Sequence, residues 1–330
     1  MSAGVSRRSF LLGASGALVA LAAACSSSGS GGGSDPSGAT VSTKFGDVTA
    51  PADPARVVSV GYNDHDTLLA LGVVPVGVFD WYGNYPSATW PWAQSALGDA
   101  SPEIVGSTAE GIDVEKVASV NPDLIVGTYA GVTQSEYDTL SQLAPTVTQP
   151  DGFADFGIPW RDQTTLIGDA VGKPDDAAAL IGDLEQNFSA AADANPAFVG
   201  KTVLVGALQG PGQFGVYGAQ DPKVRFLNEL GFVNPPVSDQ IGERNFATIS
   251  TEQLSLADVD LLVWYAGGGF GDRLRAELAS TPVYQQLAAV REGRVIVLED
   301  DAAEAMAWST VLSLPFALEE IPGRLAPLVG

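Results

Sequence analysis

Cysteine is all but missing: Cys25 is the only one in 330 residues, so no disulfide can close within the chain. Histidine is as scarce, with His65 alone, and a zinc or manganese site built on several imidazoles is excluded. Basic residues are few, 16 against 39 acidic. A chain this acidic repels phosphate backbones and anionic lipid, which argues against nucleic-acid binding. Beyond the first 25 residues no apolar run is long enough to span a bilayer. Catalytic motifs are thin as well. There is no Gly-x-Ser-x-Gly elbow, a hydrolase would depend on His65 as its imidazole base, and the one thiol is Cys25. The run Gly210-Pro211-Gly212-Gln213-Phe214-Gly215 has the spacing of a dinucleotide fingerprint. Its continuation, Val216-Tyr217-Gly218, reads as turn and strand, whereas such a site needs a helix there. No catalytic residue, cofactor or metal site is therefore expected.

The residues that are present begin with an export signal. Ser6-Arg7-Arg8-Ser9-Phe10-Leu11 precedes an apolar run over residues 11–24 that stops at Cys25. The segment resembles a twin-arginine signal joined to a lipobox, with Leu21 four residues before the cysteine and Ala22 three before it. The resemblance implies removal of residues 1–24 and acylation of Cys25. The tract Ser26-Ser27-Ser28-Gly29-Ser30-Gly31-Gly32-Gly33-Ser34 reads as a flexible tether, within a linker taken as residues 25–40. Cleavage removes Arg7 and Arg8 and no acidic residue, leaving 14 basic against 39 acidic residues, a net charge of −25. The expected location is the outer face of the cell membrane, held by lipid alone.

From residue 56 on, short β-branched runs alternate with helical segments. Residues 56–60 read as a strand, 64–71 as a helix closed by Gly72, and 75–79 as the next strand, the spacing of a parallel βαβ unit. Helices at 114–120 and 135–144 alternate with strands at 124–128 and 146–148, giving an α/β lobe over residues 41–158. A second series has strands at 202–208, 261–265 and 294–298 and helices at 223–230 and near 310–318, giving a second α/β lobe over residues 197–330. Between them, residues 160–171 and 175–194 carry Ala, Leu, Ile and Phe at helical spacing with no internal proline. A helix of some twenty residues is about 30 Å long. The fold expected is α/β, two lobes bridged over residues 159–196 by a long rigid helix.

Several segments, in this order and spacing, carry a resemblance over nearly all of the chain after the linker. They are Pro54-Ala55-Arg56-Val57-Val58-Ser59, Leu68-Leu69-Ala70-Leu71-Gly72-Val73-Val74-Pro75 and Glu115-Lys116-Val117-Ala118-Ser119-Val120-Asn121-Pro122-Asp123 in the first half. The second half adds Phe226-Leu227-Asn228-Glu229-Leu230-Gly231-Phe232 and Ala289-Val290-Arg291-Glu292-Gly293-Arg294-Val295. The sequence resembles the substrate-binding proteins of ATP-driven iron–siderophore importers, a family that includes ferric-citrate, ferric-hydroxamate and cobalamin binders. The resemblance implies a monomer that holds a ferric siderophore between its lobes and delivers it to an ABC permease with its ATPase. It also implies one glutamate on each lobe docking on the permease, at Glu115 and Glu229, where the plain alternative is a pair of solvated helix-surface carboxylates. Haem or cobalamin carriage by the same fold, and a secreted enzyme on this scaffold, stay open as other readings.

Topology points to candidate ligand contacts, since open parallel sheets bind ligands beyond the carboxyl ends of their strands. Six large rings fall between positions 79 and 92: Phe79, Trp81, Tyr82, Tyr85, Trp90 and Trp92. A bulky organic ligand needs flat apolar walls with polar tips, so Trp81, Tyr82, Tyr85 and Trp90 are expected to face the cleft, or else to pack on their own lobe as Phe79 and Trp92 can. Tyr62 and Tyr129 come just after strand ends and are expected there too. The second lobe is expected to add Phe214, Tyr217 and, from the loop after Leu298, Trp308, with Tyr265 a further candidate. Arginine suits carboxylate or hydroxamate oxygens, and Arg225 and Arg244 are the candidates. His65 reads either as a haem ligand or as a residue at the end of a helix.

Overall fold

A computed structural model describes residues 37–241 and 246–330. The linker is shorter than expected, because a first strand, β1 (Ser37–Thr43), already begins inside it and pairs antiparallel with β2 (Gly46–Pro51). Cys25 and Arg244 lie outside the described residues.

The run Val57-Val58-Ser59 is buried on both faces and forms β3 at the centre of a sheet. Around it stand β4 (Gly77–Asp80), β5 (Glu103–Ser107), β6 (Gly111–Ile112), β7 (Leu124–Gly127) and β8 (Thr146–Thr148), in the order β6-β5-β4-β3-β7-β8. All neighbours are parallel except β5 and β6. The near-continuous apolar strands are what a sheet covered on both faces requires. Helix ends between them are specified locally. Asp113 caps the helix Val114–Ser119 by accepting from the Glu115 and Lys116 amides, and Thr133 with Glu136 forms a reciprocal capping box at Gln134–Leu140.

The second sheet holds β9 (Val203–Gly210), β10 (Gln213–Tyr217), β11 (Phe246–Ser250), β12 (Leu261–Tyr265) and β13 (Val295–Leu298), in the order β11-β10-β9-β12-β13. Here β9, β12 and β13 are parallel, while β9, β10 and β11 form an antiparallel meander. The glycine-rich run 210–215 spans the end of β9, the two-residue turn Pro211-Gly212 and the start of β10, and no helix begins there. A helix at Asp301–Trp308 precedes the terminal helix Ser313–Val329, which runs well past the expected residue 318.

The helix Pro174–Ala194 joins the lobes, with proline in its first turn and Asp175 and Asp176 against its positive end. Its Ala177 packs in the first lobe's core, Leu184 and Phe188 pack in the second's, and Leu180 touches both. The described residues fall in one compact unit.

Candidate functional site

The chain between β3 and the helix Asp64–Ala70 carries a tyrosine and then a wholly polar run, Asn63-Asp64-His65-Asp66-Thr67, each residue at most 1% exposed. Burying such a run is costly unless its groups find partners. The Asp64 carboxylate accepts from Thr128 N (2.8 Å), Thr128 Oγ1 (2.7 Å), Tyr129 N (3.2 Å) and Gln163 Nε2 (2.8 Å). Burial raises its pKa, and these hydrogen bonds act against the rise. The approach depends on Gly61, where a Cβ would stand 1.9 Å from Asp64 Oδ2. Asn63 donates to the Trp308 carbonyl (2.7 Å) and accepts from Gln163 (2.8 Å). Asp66 Oδ2 accepts from Trp92 Nε1 (2.8 Å) and Thr310 Oγ1 (2.7 Å). The polar run therefore joins the end of one lobe's strands to the other lobe.

His65 sits at the start of this helix but is fully buried, its Nε2 3.1 Å from the Ala88 carbonyl and its ring edge-on to Trp308. Burial pushes its pKa down to about 4, and pushes that of Asp66 up to about 7. An imidazole so enclosed is not accessible to haem.

Above this joint a cavity of about 620 Å³ opens between the lobes. The first lobe lines it with Trp81, Tyr82, Tyr129 and Phe156. The second contributes Tyr217, Asp221, Lys223, Tyr265, Gly267, Gly268, Phe270 and Ala307. Trp81 stacks on Tyr62 at 5.1 Å and stands edge-on to Tyr82 at 4.8 Å. Tyr82 meets Trp90 edge-on at 5.3 Å, and Trp90 stacks on Trp92 at 5.0 Å. A second pocket of about 430 Å³ adjoins through Tyr82 and Gly268 and adds Tyr85, Trp90, Glu299, Asp300, Asp301 and Glu304 to the lining.

One carboxylate ties the two walls together. Glu304 Oε2 accepts from Tyr82 of the first lobe and Tyr265 of the second, each at 2.6 Å, and Oε1 accepts from the Gly268 amide at 2.9 Å. Burial and then the Glu304 charge raise the Tyr82 pKa, and the same carboxylate contributes to the rise at Tyr265. A Cβ on Gly267 would stand 2.2 Å from the Tyr265 hydroxyl and 2.6 Å from Glu304 Oε1, so the strand-end glycine makes room for this bond. Lys223 lies 3.0 Å from Asp221 and over the Tyr217 ring at 3.9 Å. Burial disfavours its ammonium, but Asp221, Tyr217 and Glu304 outweigh burial and the pKa is raised.

Of the residues expected from the sequence, Trp81, Tyr82, Tyr129, Tyr217 and Tyr265 come together around the cavity, and Tyr85 and Trp90 line the adjoining pocket. Tyr62 instead supports the wall from behind, stacked on Phe79, Trp81 and Phe156. Phe214 does not reach the cleft: it is fully buried against Trp264 in the second lobe's core. Tyr217 lies three positions on along the same strand, and residues an odd number apart point to opposite faces. Trp308 ends a helix rather than lying in a loop, and at 1% exposure it backs the aromatic ribbon while its neighbour Ala307 lines the cavity. Arg225 donates to the Gly157 carbonyl and to Gln220, bracing the cleft's edge without lining either pocket.

Glu115 is exposed in the first turn of its helix. Glu229 is engaged: Arg161 donates to both its oxygens (2.9 and 2.8 Å), and Trp160 Nε1 adds a third bond at 3.2 Å. Sequence reasoning missed Phe156, Asp221, Lys223, Phe270 and Glu304. The triplet Gly267-Gly268-Gly269 at the end of β12 was the available signal, since glycines at a strand's carboxyl end mark a close approach. Among the described residues no group of three or more His, Cys, Asp or Glu could hold a metal ion, and no helix is long and apolar enough to cross a membrane.

Comparisons with known proteins agree with this fold. The family model described as periplasmic binding protein matches residues 57–302. A probable siderophore-binding lipoprotein of Bacillus subtilis (strain 168), YfiY, is 29% identical over 273 residues, 79% of this chain and 78% of that protein. The crystal structure of a periplasmic solute binding protein from Mycobacterium smegmatis is 36% identical, with a TM-score of 0.78, covering 89% of this chain and 99% of that one. Streptococcus pneumoniae PiaA, solved in complex with ferrichrome, is 25% identical with a TM-score of 0.75, covering 88% of this chain and 98% of that one.

Proposed function

This chain belongs to the periplasmic binding protein family, and we propose that it captures a ferric siderophore outside the cell and delivers it to an ATP-driven importer. The observation that carries the proposal is the inter-lobe cavity of about 620 Å³, walled by indole and phenol rings on one side and by phenols and a buried ion pair on the other. Its size and mixed lining suit a bulky organic chelate whose metal is already wrapped. The names of the Bacillus subtilis relative and of the ferrichrome complex support the same reading.

In this reading the rings hold the chelate's organic surface by stacking and burial, and the phenols of Tyr129 and Tyr217 meet its oxygens. No bond is made or broken. Glu115 is exposed and free to meet the permease, whereas docking through Glu229 requires its carboxylate to leave Arg161 or to be recognised together with it. Acylation at Cys25 keeps the carrier beside its importer, and a mass measurement of the mature N-terminus tests that step.

Tryptophan emission reports binding directly, because Trp81 and Trp90 line the two pockets. Titration with a panel of ferric siderophores, haem and cobalamin is expected to quench it at micromolar ferric siderophore or below. Quenching by haem or cobalamin alone, or by none of the panel, would overturn the proposal.

A further inference from the structure

The loop after β8 holds the chain in a conformation that its residues do not favour. Residues 154–157 make a four-residue turn, closed by the Gly157 amide donating to the Ala154 carbonyl at 2.9 Å, and Phe156, at its third position, has φ +60°. Glycine or asparagine suits such a position, and a bulky residue there strains the backbone. The strained backbone places a ring. Phe156 stacks on Tyr62 at 5.0 Å, meets Tyr129 edge-on at 5.5 Å and lines the inter-lobe cavity. Gly131 leaves the slot for it, since a Cβ there would stand 2.9 Å from Phe156 Cζ.

Both neighbours of Phe156 are held from elsewhere in the fold. Before it, Asp155 Oδ1 accepts from Lys44 Nζ at 2.9 Å and from Gln149 Nε2 at 3.2 Å, and Lys44 belongs to the turn between β1 and β2. After it, the Gly157 carbonyl accepts from Arg225 Nη1 at 2.9 Å, and Arg225 lies on the helix Pro222–Glu229 of the second lobe. Arg225 Nη2 donates to Gln220, and the residue lines neither pocket of the cleft.

We propose that Arg225 is a positioning residue for the carried chelate, acting through Phe156. From the second lobe it pins the turn at Gly157, Lys44 pins the same turn at Asp155, and the ring between the two anchors is held against the chelate's organic surface on the wall that Trp81 shares. Arg225 thereby ties one lobe to the ligand-facing ring of the other without meeting the ligand. This proposal rests on the ferric-chelate reading above and adds a residue that acts on the site from outside it.

A double-mutant cycle separates action through the ring from direct contact. Kd is measured by fluorescence titration of the purified protein with a neutral ferric trihydroxamate, a trianionic ferric tricatecholate and a ferric tricarboxylate, and the cycle is run on each that binds. Phe156→Ala is expected to weaken binding about tenfold and Arg225→Gln about fivefold, whereas adding Arg225→Gln to Phe156→Ala is expected to cost less than about twofold more. Lys44→Gln breaks a pair near the surface and is expected to cost about threefold, again only while Phe156 is present; it carries the same test should Arg225→Gln fail to fold. A loss from Arg225→Gln that persists in Phe156→Ala, or that falls on the anionic chelates alone, means that the guanidinium meets the ligand itself and overturns the proposal. Unchanged affinity in Phe156→Ala also overturns it, since the ring then serves only the packing of its own lobe. The strain is read without ligand: Phe156→Gly is expected to unfold at a higher urea concentration than Phe156→Ala, the reverse of their order in ordinary backbone. An equal or lower midpoint means that the turn needs no anchors and sinks the proposal. Each of these failures leaves the ferric-chelate reading standing. If none of the three chelates binds the unsubstituted protein, that reading fails and this one with it.

Discussion

The two walls of the cleft differ in kind. The first lobe presents rings, Trp81, Tyr82, Tyr129 and Phe156, held by further rings behind them; the second presents Asp221, Lys223 and Glu304 set among phenols. An aromatic wall gains affinity from area and tolerates many organic surfaces, whereas a charged wall gains little net affinity but rejects the wrong sign. On the proposed function, the first lobe is expected to supply binding area and the second to set which charges are accepted. Both stand above the buried polar joint, which is expected, with the Glu304 bonds, to set how far apart the walls stand.

Breaking the joint is expected to have the largest effect. The two N–H groups of Gln163 Nε2 are shared among Asn63, Asp64 and Thr128. Replacing it, Gln163→Leu, leaves buried acceptors without that donor and is expected to lower stability by roughly 3 kcal/mol, read from the urea midpoint. A change below about 1 kcal/mol would show that the joint is not what holds the walls. Next comes the aromatic wall. Trp81→Ala removes a ring that contacts Tyr62, Tyr82 and Trp308, and about 2 kcal/mol of binding, some thirtyfold in Kd, is expected to go with it for every chelate alike. If the loss depended on ligand charge, the division between walls would collapse.

The smallest effect is a slope. Asp66 has a folded pKa near 7 against an ordinary 3.8, so the folded protein keeps a proton that the unfolded chain releases. Its contribution is full below about pH 4 and is lost as pH rises toward 7. His65, near 4 when folded against 6.5, acts oppositely: its contribution is full above pH 6.5 and is lost as pH falls toward 4. The two offset each other between pH 4 and 6.5. Asp66→Asn keeps the acceptor for Trp92 and Thr310 but removes one side of the balance. Its stability is expected to rise with pH more steeply than that of the unsubstituted protein, by on the order of 1 kcal/mol per pH unit, in denaturation series across this window. Parallel curves would mean that Asp66 does not titrate there.

Much of the first wall was legible because its signal is local. Five rings within residues 81–92, directly after β4, are placed by the chain itself near that strand's end. The second wall was not, because its members come from separate stretches of chain: Asp221 and Lys223 from one helix start, Tyr265 and Gly267 from the end of β12, Glu304 from a helix after β13. Phe214 and Tyr217 show the limit within a single strand. Both are aromatic and both come after the same turn, but the pleat sends one into the core and the other to the cleft. His65 shows it for polar residues, since nothing local told a surface imidazole from one enclosed by Ala88 and Trp308.

Sequence by itself determined the alternation of strands and helices, the two lobes, the long joining helix and the family they resemble, because periodicity, capping and strand composition act over a few neighbouring residues. Tertiary structure alone decided which polar groups are buried and which partners the charges at the cleft find. Burial and ion pairing depend on contacts between residues such as Tyr82 and Glu304, 222 positions apart in the chain, and no local pattern encodes a distance of that kind.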